Sequence, residues 1–440
     1  MSATVTSPEI ADDVTAIPLP RAVVFAEYFP PYMGSDRRIY DLMRHVRDWR
    51  VQFAVAPPLR VLGGRCEEAL RDYFQQHFID ADQEDEAGGL HGHYFRLRHW
   101  IYAAWRVLPM PLAYVLTVAY LVKRASRHLA QVRPDIVVLA HPSYLCGLVG
   151  LIAARLHRVP VLLDYPDAWT PLAVETAGLR PDGLRAKLLG GLERLVARSC
   201  DTIVSISDGL TRYIRTLGSR ARIEVVANGA DVVHFDPERV VSRREALGFA
   251  PGDDVVLYSG RLELWSGIDA LVETIERVVE RRPRARFLFV GDGSTAVDFV
   301  AQLDARGLRE RVVFAGFQRF KDMPALIAAA DVAIVPFPST PTTDVCVPVK
   351  LFEYLAMGVP VVTTGLPAIK EFVDVRHVRF VERLEASQLS ALICDLLDDP
   401  QTRLELARDG AEHCRASFDY RRLAAQFGRE MERVRTAVAV

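Results

Sequence analysis

The sequence lacks several features that would place it in common classes of protein. Its formal charges nearly cancel, at −2 over 440 residues, so no basic field indicates a nucleic-acid partner. Its six cysteines are scattered without a Cys-x-x-Cys pair, which argues against a disulfide framework and against a zinc motif. No apolar run reaches the roughly 18 residues that an ordinary membrane span needs. Hydrophobic residues make up half of the chain, enough for the cores of two or three domains.

The first twenty residues also lack the pattern of a secretory signal. They are mostly small and polar, with a few acids, and have neither a basic start nor an apolar centre. We therefore expect residues 1–20 to be a disordered tail. Scattered thiols are typical of a reducing compartment, so we expect the protein to be cytoplasmic.

Strand-like apolar runs alternate with amphipathic helical patterns through most of the chain. Continuous apolar strands separated by helices indicate a parallel sheet that is covered on both faces, and thus the α/β class. The rhythm pauses near residues 231–251 and then restarts, which predicts two doubly wound, Rossmann-like domains. The predicted strands are 22–26, 136–140, 159–163, 202–205, 222–227, 255–259, 287–290, 312–315, 332–335 and 359–363.

This alternation also predicts the domain boundaries. In doubly wound sheets, ligands bind at the carboxyl ends of the strands, so the site should lie in the cleft between the domains. We expect the last helix to pack back toward the first domain. The expected segments are a tail at 1–20, a first Rossmann-like domain at 21–235, a second at 236–415 and a C-terminal helix at 416–440.

Residues 348–362 carry the sharpest local signal. Lys350 and Glu353 lie one turn apart at the start of a short predicted helix, which Gly358 can end. A helix N-terminus attracts anions, and Lys350 adds a full positive charge there. A carboxylate one turn further on can accept hydrogen bonds from sugar hydroxyls. The segment suits a nucleotide, with phosphate at the helix end and ribose on Glu353, although a solvated amphipathic helix has the same pattern.

Residues 96–124 depart from the α/β rhythm. Trp100, Trp105 and Tyr114 lie among apolar residues, with arginines and a lysine around them. Aromatic rings flanked by cations are typical of a segment at the surface of an anionic membrane. A pair of helices packed into the first domain has the same composition. Both interpretations stay open at this point, and the first predicts a peripheral protein on the inner face of a membrane.

An ordered series of motifs resembles the retaining nucleotide-sugar glycosyltransferases of glycosyltransferase family 4. The resemblance covers about residues 21–430, and the order of the pieces is more specific than any one of them. Before Lys350 and Glu353 come FPPYMGSDRR at 29–38, RPDIVV at 133–138, His141, DYPDAW at 164–169, SIS at 205–207, NGAD at 228–231, YSGRL at 258–262, VGDG at 290–293, FAGF at 314–317 and AADV at 329–332.

This resemblance implies the GT-B fold, two Rossmann-like domains with a cleft between them, and roles for particular residues. It makes 21–235 the acceptor-side domain and 236–415 the nucleotide-sugar-binding domain. Catalytic roles fall on His141 facing the donor sugar and on Arg261 and Lys350 holding the diphosphate. Contacts to substrate are implied for Gly34, Arg38, Asp167, Glu353 and Phe317. Several of these residues also have a structural alternative. Arg261 could form a surface ion pair, and Gly34 could serve a plain turn. His141 could be a structural histidine with its hydrogen bonds satisfied, and Asp167 could cap a helix or form a turn.

The expected partners are a nucleotide-diphosphate sugar as donor and a saccharide or lipid-linked acceptor. No separate cofactor is expected, and no metal, because arginine and lysine can compensate the phosphate charge and no Asp-x-Asp cluster marks a divalent site. The Asp80-Ala81-Asp82 spacing belongs to an acidic run at 80–86 that we expect to be a solvated loop. Two departures affect catalysis: Ser266 occupies a position where the family commonly has a lysine, and Val345 one where it often has a glutamate. The alternatives are a nucleotide-sugar epimerase or phosphorylase-like enzyme of the same fold, or a degenerate transferase that serves as a binding subunit.

Overall fold

The computed structural model describes residues 18–29, 34–56, 84–87 and 89–437. Its described strands form one eight-stranded and one six-stranded sheet, each at the centre of a Rossmann-like domain. The predicted α/β class, with two doubly wound domains, is therefore confirmed. Apart from residues 18–20, the predicted tail lies outside the described residues.

The first sheet has the strand order β3-β4-β2-β1-β5-β6-β7-β8. Every neighbouring pair in it is parallel except β3 and β4 at one edge. The strands are β1 (Arg21–Ala26), β2 (Arg50–Val55), β3 (Glu84–Ala87), β4 (Leu90–Tyr94), β5 (Ile136–Leu139), β6 (Val161–Tyr165), β7 (Thr202–Ser205) and β8 (Arg222–Val225).

Helices cover both faces of this sheet. They are α1 (Gly34–Met43), α2 (His99–Val107), α3 (Met110–Val132), α4 (Cys146–Leu156), α5 (Trp169–Ala177), α6 (Leu184–Ser199) and α7 (Asp208–Thr216). Three of them form one layer, in which α3 packs on α4 and α4 packs on α6. Helix α5 packs on α6 and also approaches the second domain.

The second sheet is wholly parallel, with the order β11-β10-β9-β12-β13-β14. Its strands are β9 (Asp254–Ser259), β10 (Ala285–Val290), β11 (Val312–Gly316), β12 (Val332–Val335), β13 (Val361–Thr364) and β14 (Arg379–Val381). Its helices are α8 (Leu271–Arg281), α9 (Ala296–Ala305), α10 (Met323–Ile327), α11 (Val349–Ala356), α12 (Pro367–Lys370), α13 (Ala386–Asp398) and α14 (Pro400–Ser417).

Continuous apolar strands explain why both sheets are buried on their two faces. All four residues of β5 and all four of β12 are buried, with no alternation of polar side chains. Fully burying one such valine or leucine contributes about 1.5–3 kcal/mol, so these central strands anchor the cores. Their carboxyl ends present His141 and the loop after Val335 to the space between the domains.

The last helix, α15 (Tyr420–Ala437), crosses back to the first domain. Its apolar face, which includes Leu423, Phe427 and Met431, shares a buried cluster with β1 and α1. Two polar contacts reinforce this packing: Gln426 donates to the Val225 carbonyl at 2.9 Å, and Glu430 pairs with Arg222. The chain therefore ties its two domains together twice, once at the linker and once through α15.

Residues 96–124 form helix α2 and most of helix α3, with the break at Leu108 and Pro109. Two of their aromatic side chains are held by hydrogen bonds: the Trp105 indole donates to Thr117 at 2.9 Å and Tyr120 donates to the Arg96 carbonyl at 2.9 Å. Trp100, by contrast, is 45% exposed. The described helices include none that is long and apolar enough to cross a membrane.

Candidate active site

Helix α11 starts in the cleft, and its first residues face the end of β9. Pro348 precedes the helix and provides no side-chain cap, which leaves the first amides available to an anion. The Lys350 ammonium lies 4.1 Å from the centre of the Tyr258 ring and beside Gly260. A Cβ at Gly260, where φ is +129°, would come within 2.8 Å of the Lys350 nitrogen. The positive φ favours glycine here, and the absence of a side chain leaves room for the lysine nitrogen.

Lys350 and Glu353 perturb each other's charge in this half-buried position. Burial lowers the pKa of Lys350 to about 7, although Glu353 opposes the shift. Burial raises the pKa of Glu353 to about 7, although Arg37 and Lys350 oppose it. Each group is therefore partly protonated near neutral pH, and a bound ligand of suitable charge can shift its protonation state.

Arg261 follows β9 and belongs to a hydrogen-bonded chain. Its guanidinium pairs with Glu263 at 2.5 Å, and the buried Glu263 also accepts from the Ser294 amide at 3.3 Å. The structure therefore contains the ion pair considered as the structural alternative. About a third of the Arg261 side chain is exposed, so the pair holds the guanidinium in place while leaving part of it accessible.

His141 lies at the end of β5, on the opposite wall of the cleft. Its ring lies 4.7 Å from that of Trp169, and its Nε2 is 3.5 Å from Asp36. Burial by itself lowers the pKa of His141, but the carboxylates of Asp36, Glu27 and Asp164 outweigh burial and raise it. His141 Nδ1 and Trp169 Nε1 are buried without a hydrogen-bond partner among the described residues, so both can serve ligand hydroxyls.

Asp167 follows β6 and meets the second domain across the cleft. The Cys346 thiol donates to its Oδ1 at 3.6 Å, and burial raises the pKa of Asp167 to about 6. The contact joins the two sheets through side chains that lie 179 positions apart in the chain. Asp167 is therefore a cleft residue, and no described cation pairs with it as a salt bridge.

Glu193 is a residue of this region that the sequence analysis missed. It is fully buried, and its carboxylate accepts from the amides of Trp169 and Thr170 at 3.1 and 3.2 Å. It also accepts from the hydroxyls of Tyr165 and Tyr213. The carboxylate thereby caps α5 from a different helix and fixes the position of Trp169 beside His141. Glu193 occupies an ordinary helical pattern, so no local signal distinguishes it in the sequence.

Arg38 does not face the cleft, which corrects the expectation that it contacts substrate. It is fully buried and pairs with Asp164 at 3.1 Å. Its remaining donors bind the carbonyls of Val226 and Ala227 and the side chain of Asn228. Its five donors are thus used within the protein, and it acts on the site only indirectly. Asn228 donates in turn to the Val347 carbonyl at 2.6 Å, just before helix α11.

Three other residues singled out in the sequence lie in distinct settings. Gly34 is the first residue of α1, whose N-terminal part also contains Asp36. Phe317 directly follows β11 and is 58% exposed at the carboxyl edge of the second sheet. Ser266 is fully buried and closes a local turn through hydrogen bonds with the Glu263 backbone. A lysine at Ser266 would therefore have to leave that turn to reach a ligand.

The two walls of the cleft contact each other directly. Ser207 donates to the Val345 carbonyl at 2.9 Å. Val345, where the resembled family often has a glutamate, therefore contributes to a contact between the two domains. Glu371 accepts from the Asp208 and Gly209 amides, at 2.8 and 3.1 Å, and caps helix α7 from the other domain. Among the described residues, no three His, Cys, Asp or Glu side chains are arranged to hold a metal ion.

Each half of this architecture matches a family model. Residues 33–229 match "Glycosyl transferase 4-like domain", and residues 253–399 match "Glycosyl transferases group 1". The two matches fall on the two Rossmann-like domains and leave the linker between them. Lys350, Glu353 and Arg261 lie within the second match, and His141, Asp167 and Glu193 lie within the first.

Known proteins similar to this chain agree with that division. It is 29% identical over 233 residues to the GDP-mannose-dependent monoacylated alpha-(1-6)-phosphatidylinositol monomannoside mannosyltransferase of Corynebacterium glutamicum. That match covers 52% of this chain and 61% of the relative. Sucrose-phosphate synthase from Thermosynechococcus elongatus superposes with a TM-score of 0.73 at 17% identity, covering 96% of this chain and 100% of that one. Anabaena HepE, crystallised with UDP, gives 0.67 at 18% identity, covering 94% and 99%.

Proposed function

Since this chain has the GT-B architecture of the glycosyltransferases whose family models its two domains match, we propose that it is a nucleotide-sugar-dependent glycosyltransferase. It transfers a sugar from a nucleoside-diphosphate donor to a saccharide or lipid-linked acceptor, with retention of the anomeric configuration. The proposal includes a cytoplasmic location, supported by the unpaired state of all the described cysteines.

The observation that carries this proposal is the start of helix α11. Uncapped amides, the Lys350 ammonium and the Arg261 guanidinium surround the carboxyl end of β9, where a diphosphate would meet three sources of positive potential. Glu353 lies one turn further along, at the right place to accept from ribose hydroxyls. The negative charge that develops on the leaving diphosphate is the charge this arrangement can stabilise.

The opposite wall supports binding of sugar and acceptor. The unpartnered nitrogens of His141 and Trp169 can hydrogen-bond sugar hydroxyls, and the Trp169 ring supplies an apolar surface beside them. Asp167, whose pKa is raised to about 6, can orient an acceptor hydroxyl. Arg261 and Lys350 provide the positive charge in this mechanism, so we propose transfer that is independent of a metal ion.

The names of similar proteins bear on the nucleotide base and on the acceptor. The Corynebacterium relative is named for GDP-mannose and for a phosphatidylinositol mannoside, whereas Anabaena HepE was crystallised with UDP. A lipid-linked acceptor agrees with the first of these names. Retention rests on the resemblance of the motifs to a retaining family, in which the leaving phosphate can itself accept the acceptor proton.

The test is acceptor-dependent release of nucleoside diphosphate from a panel of sugar nucleotides and acceptors. Arg261→Ala should lower turnover by roughly 100- to 1000-fold, because one well-placed electrostatic contact contributes about 2.7–4 kcal/mol to the barrier. Arg277→Ala, which removes an exposed arginine paired on helix α8, is the matched control and should turn over like the parent. The anomeric configuration of the product is read by NMR. Equal turnover of Arg261→Ala and the parent would contradict the clamp, and an inverted product would contradict retention.

A further inference from the structure

The turn between α2 and α3 exposes a cluster of apolar side chains. Val107 is 80% exposed, Met110 57%, Leu112 48% and Val115 60%. No charged residue occurs between Val107 and Val122, so the outer side of this helical turn stays apolar. Contiguous apolar exposure of this kind is uncommon on a monomeric protein and marks an interaction surface.

Two aromatic residues near this turn hold the helix pair in place, whereas Trp100 is 45% exposed on its surface. Trp105 bonds to Thr117 on the facing helix, and Tyr114 bonds to the Tyr144 carbonyl in the body of the domain. The residues at the tip are therefore presented by a fixed helix pair. Of the aromatic residues that the sequence suggested as contacts, Trp100 is exposed, whereas Trp105, Tyr114 and Tyr120 are partly buried.

Helix α6, in the same layer of helices, repeats the pattern. Leu184, Leu188 and Leu195 are 74%, 57% and 50% exposed. The exposed positions between and beside them are occupied mainly by basic residues, which are Arg185, Lys187, Arg194 and Arg198. The acidic residue of this helix, Glu193, points inward and is fully buried. Leucines and cations thus share one outer face without an exposed acid on the helix.

The charge of the α2–α3 segment is one-sided as well. No aspartate or glutamate occurs between Gly89 and Pro134, whereas Arg98, Arg106, Lys123 and Arg127 are exposed. The chain as a whole has a net charge of only −2, so the positive charge of this segment is compensated by acidic residues in other parts of the chain. A partner for this layer must accept apolar side chains and carry negative charge over a broad area.

We propose that the outer face of helices α2, α3 and α6, here called the basic-apolar face, rests on an anionic lipid bilayer. Apolar side chains enter the boundary between headgroups and acyl chains, and the cations meet anionic headgroups. Helix α5, which lines the cleft beside His141, packs directly on α6. The proposal therefore places the acceptor wall of the cleft next to the membrane, and binding itself does not depend on the proposed transferase activity.

The experiment is sedimentation of the full chain with vesicles of phosphatidylcholine, with or without phosphatidylglycerol. The parent should bind the anionic vesicles and be released as salt rises. Substituting three exposed cations of α6 with glutamine should weaken partition roughly a hundred-fold, since each basic residue near an anionic surface contributes severalfold. Substituting three apolar residues should weaken it at least tenfold. The charge variant combines Arg185→Gln, Lys187→Gln and Arg194→Gln, and the apolar variant combines Met110→Gln, Leu112→Gln and Val115→Gln.

A matched control changes three apolar residues of the second domain that are at least as exposed, in the same way. It combines Val297→Gln, Val375→Gln and Leu404→Gln and should bind vesicles like the parent. Absence of parental binding to anionic vesicles at low salt would overturn the proposal. So would a concentration-dependent dimer that the apolar variant dissociates, because a second copy of the chain would then cover the face. Donor binding by each variant reports the active site separately, so a failure here leaves the proposed function untouched.

Discussion

Lys350 and Glu353 show how burial can bring the pKa values of two ordinary side chains close to neutral pH. Water would keep both charged at neutral pH, but the half-buried start of α11 lowers the pKa of one and raises that of the other to about 7. In the proposed binding mode, a diphosphate would favour the charged ammonium and ribose hydroxyls would favour the charged carboxylate. Binding would then shift both groups toward their charged forms and couple ligand affinity to pH.

The sign of that coupling gives a prediction. Above about pH 7 the free lysine has lost its proton and must regain it on binding, so affinity falls as pH rises, by up to tenfold per unit. Below about pH 7 the free glutamic acid must release its proton, so affinity falls as pH decreases. Lys350→Arg should flatten the alkaline limb, because arginine stays protonated, and Glu353→Gln should flatten the acid limb.

Calorimetric titration of a nucleoside diphosphate across this pH range provides the measurement. The ligand's own phosphate titration is common to all variants and cancels when the variants are compared. In buffers of different ionisation enthalpy, the parent should take up a proton on binding at about pH 8, and Lys350→Arg should not. Identical pH profiles for the parent and Lys350→Arg would show that Lys350 does not meet the phosphates.

At the scale of an element, helix α5 illustrates how a distant carboxylate can prepare a binding wall. Its N-cap residue, Ala168, has no side chain able to cap the helix, and Glu193 from α6 accepts the first amides instead. Trp169, the first residue of α5, is thereby held beside His141. Glu193 is a positioning residue in this arrangement, because it acts on the cleft through the Trp169 and Thr170 amides that it binds.

Glu193→Gln should therefore raise the KM for acceptor and lower kcat, with little change in donor affinity. Glutamine keeps the shape and one accepting oxygen, so it should retain more activity than Glu193→Ala, which leaves buried donors unpaired at about 1–3 kcal/mol each. Glu430→Gln is the matched control, since Glu430 is also a buried carboxylate but pairs with arginines on the far side of α15.

Steady-state kinetics and thermal unfolding of both variants separate positioning from stability. The two substitutions should lower the melting temperature by similar amounts, but Glu193→Gln should change the acceptor parameters and Glu430→Gln should not. If Glu193→Gln and Glu430→Gln lost activity to the same extent, Glu193 would contribute to stability and not to positioning of the site.

At the scale of the whole molecule, the domains meet through contacts that cross the cleft. Arg37 lies 3.4 Å from the centre of the Phe320 ring in the other domain. Glu371 caps helix α7, where its charge also complements the positive end of the helix. The same closed arrangement brings Cys346 against Asp167 and aligns the two walls on one ligand.

Glu371→Gln should loosen this closure, since hydrogen bonds to a charged acceptor contribute about 1.5–3 kcal/mol. We expect a larger radius of gyration by small-angle scattering in the absence of ligand, and at least a tenfold lower kcat/KM. A saturating donor should restore the parental radius. Glu382→Gln, which removes an exposed partner of Lys370, should leave scattering and kinetics unchanged. Equal scattering curves for the two variants would exclude Glu371 from domain closure.

The sequence by itself determined the two doubly wound domains. The ten runs interpreted as strands all overlap strands of the structure. Most are continuous apolar runs that become buried between two layers of helices, whereas Arg222–Val225 is an edge strand with charged residues. It also determined the helix of Lys350 and Glu353, which ends where Gly358 has a φ of +64°. Strands β2 and β4 escaped prediction because Gln52, His91 and His93 interrupt their apolar residues, and the short β14 gives little signal at all.

Only the tertiary structure decided which charged and aromatic residues face the cleft or the solvent. Arg38 looked as available as Arg261, but its partner Asp164 lies 126 positions away, and pairing at that separation leaves no local trace. Trp105 looked like a surface anchor until the facing helix supplied Thr117 as its hydrogen-bond partner. Composition and periodicity fix which residues must be buried, whereas the identity of each buried partner depends on which elements the fold brings together.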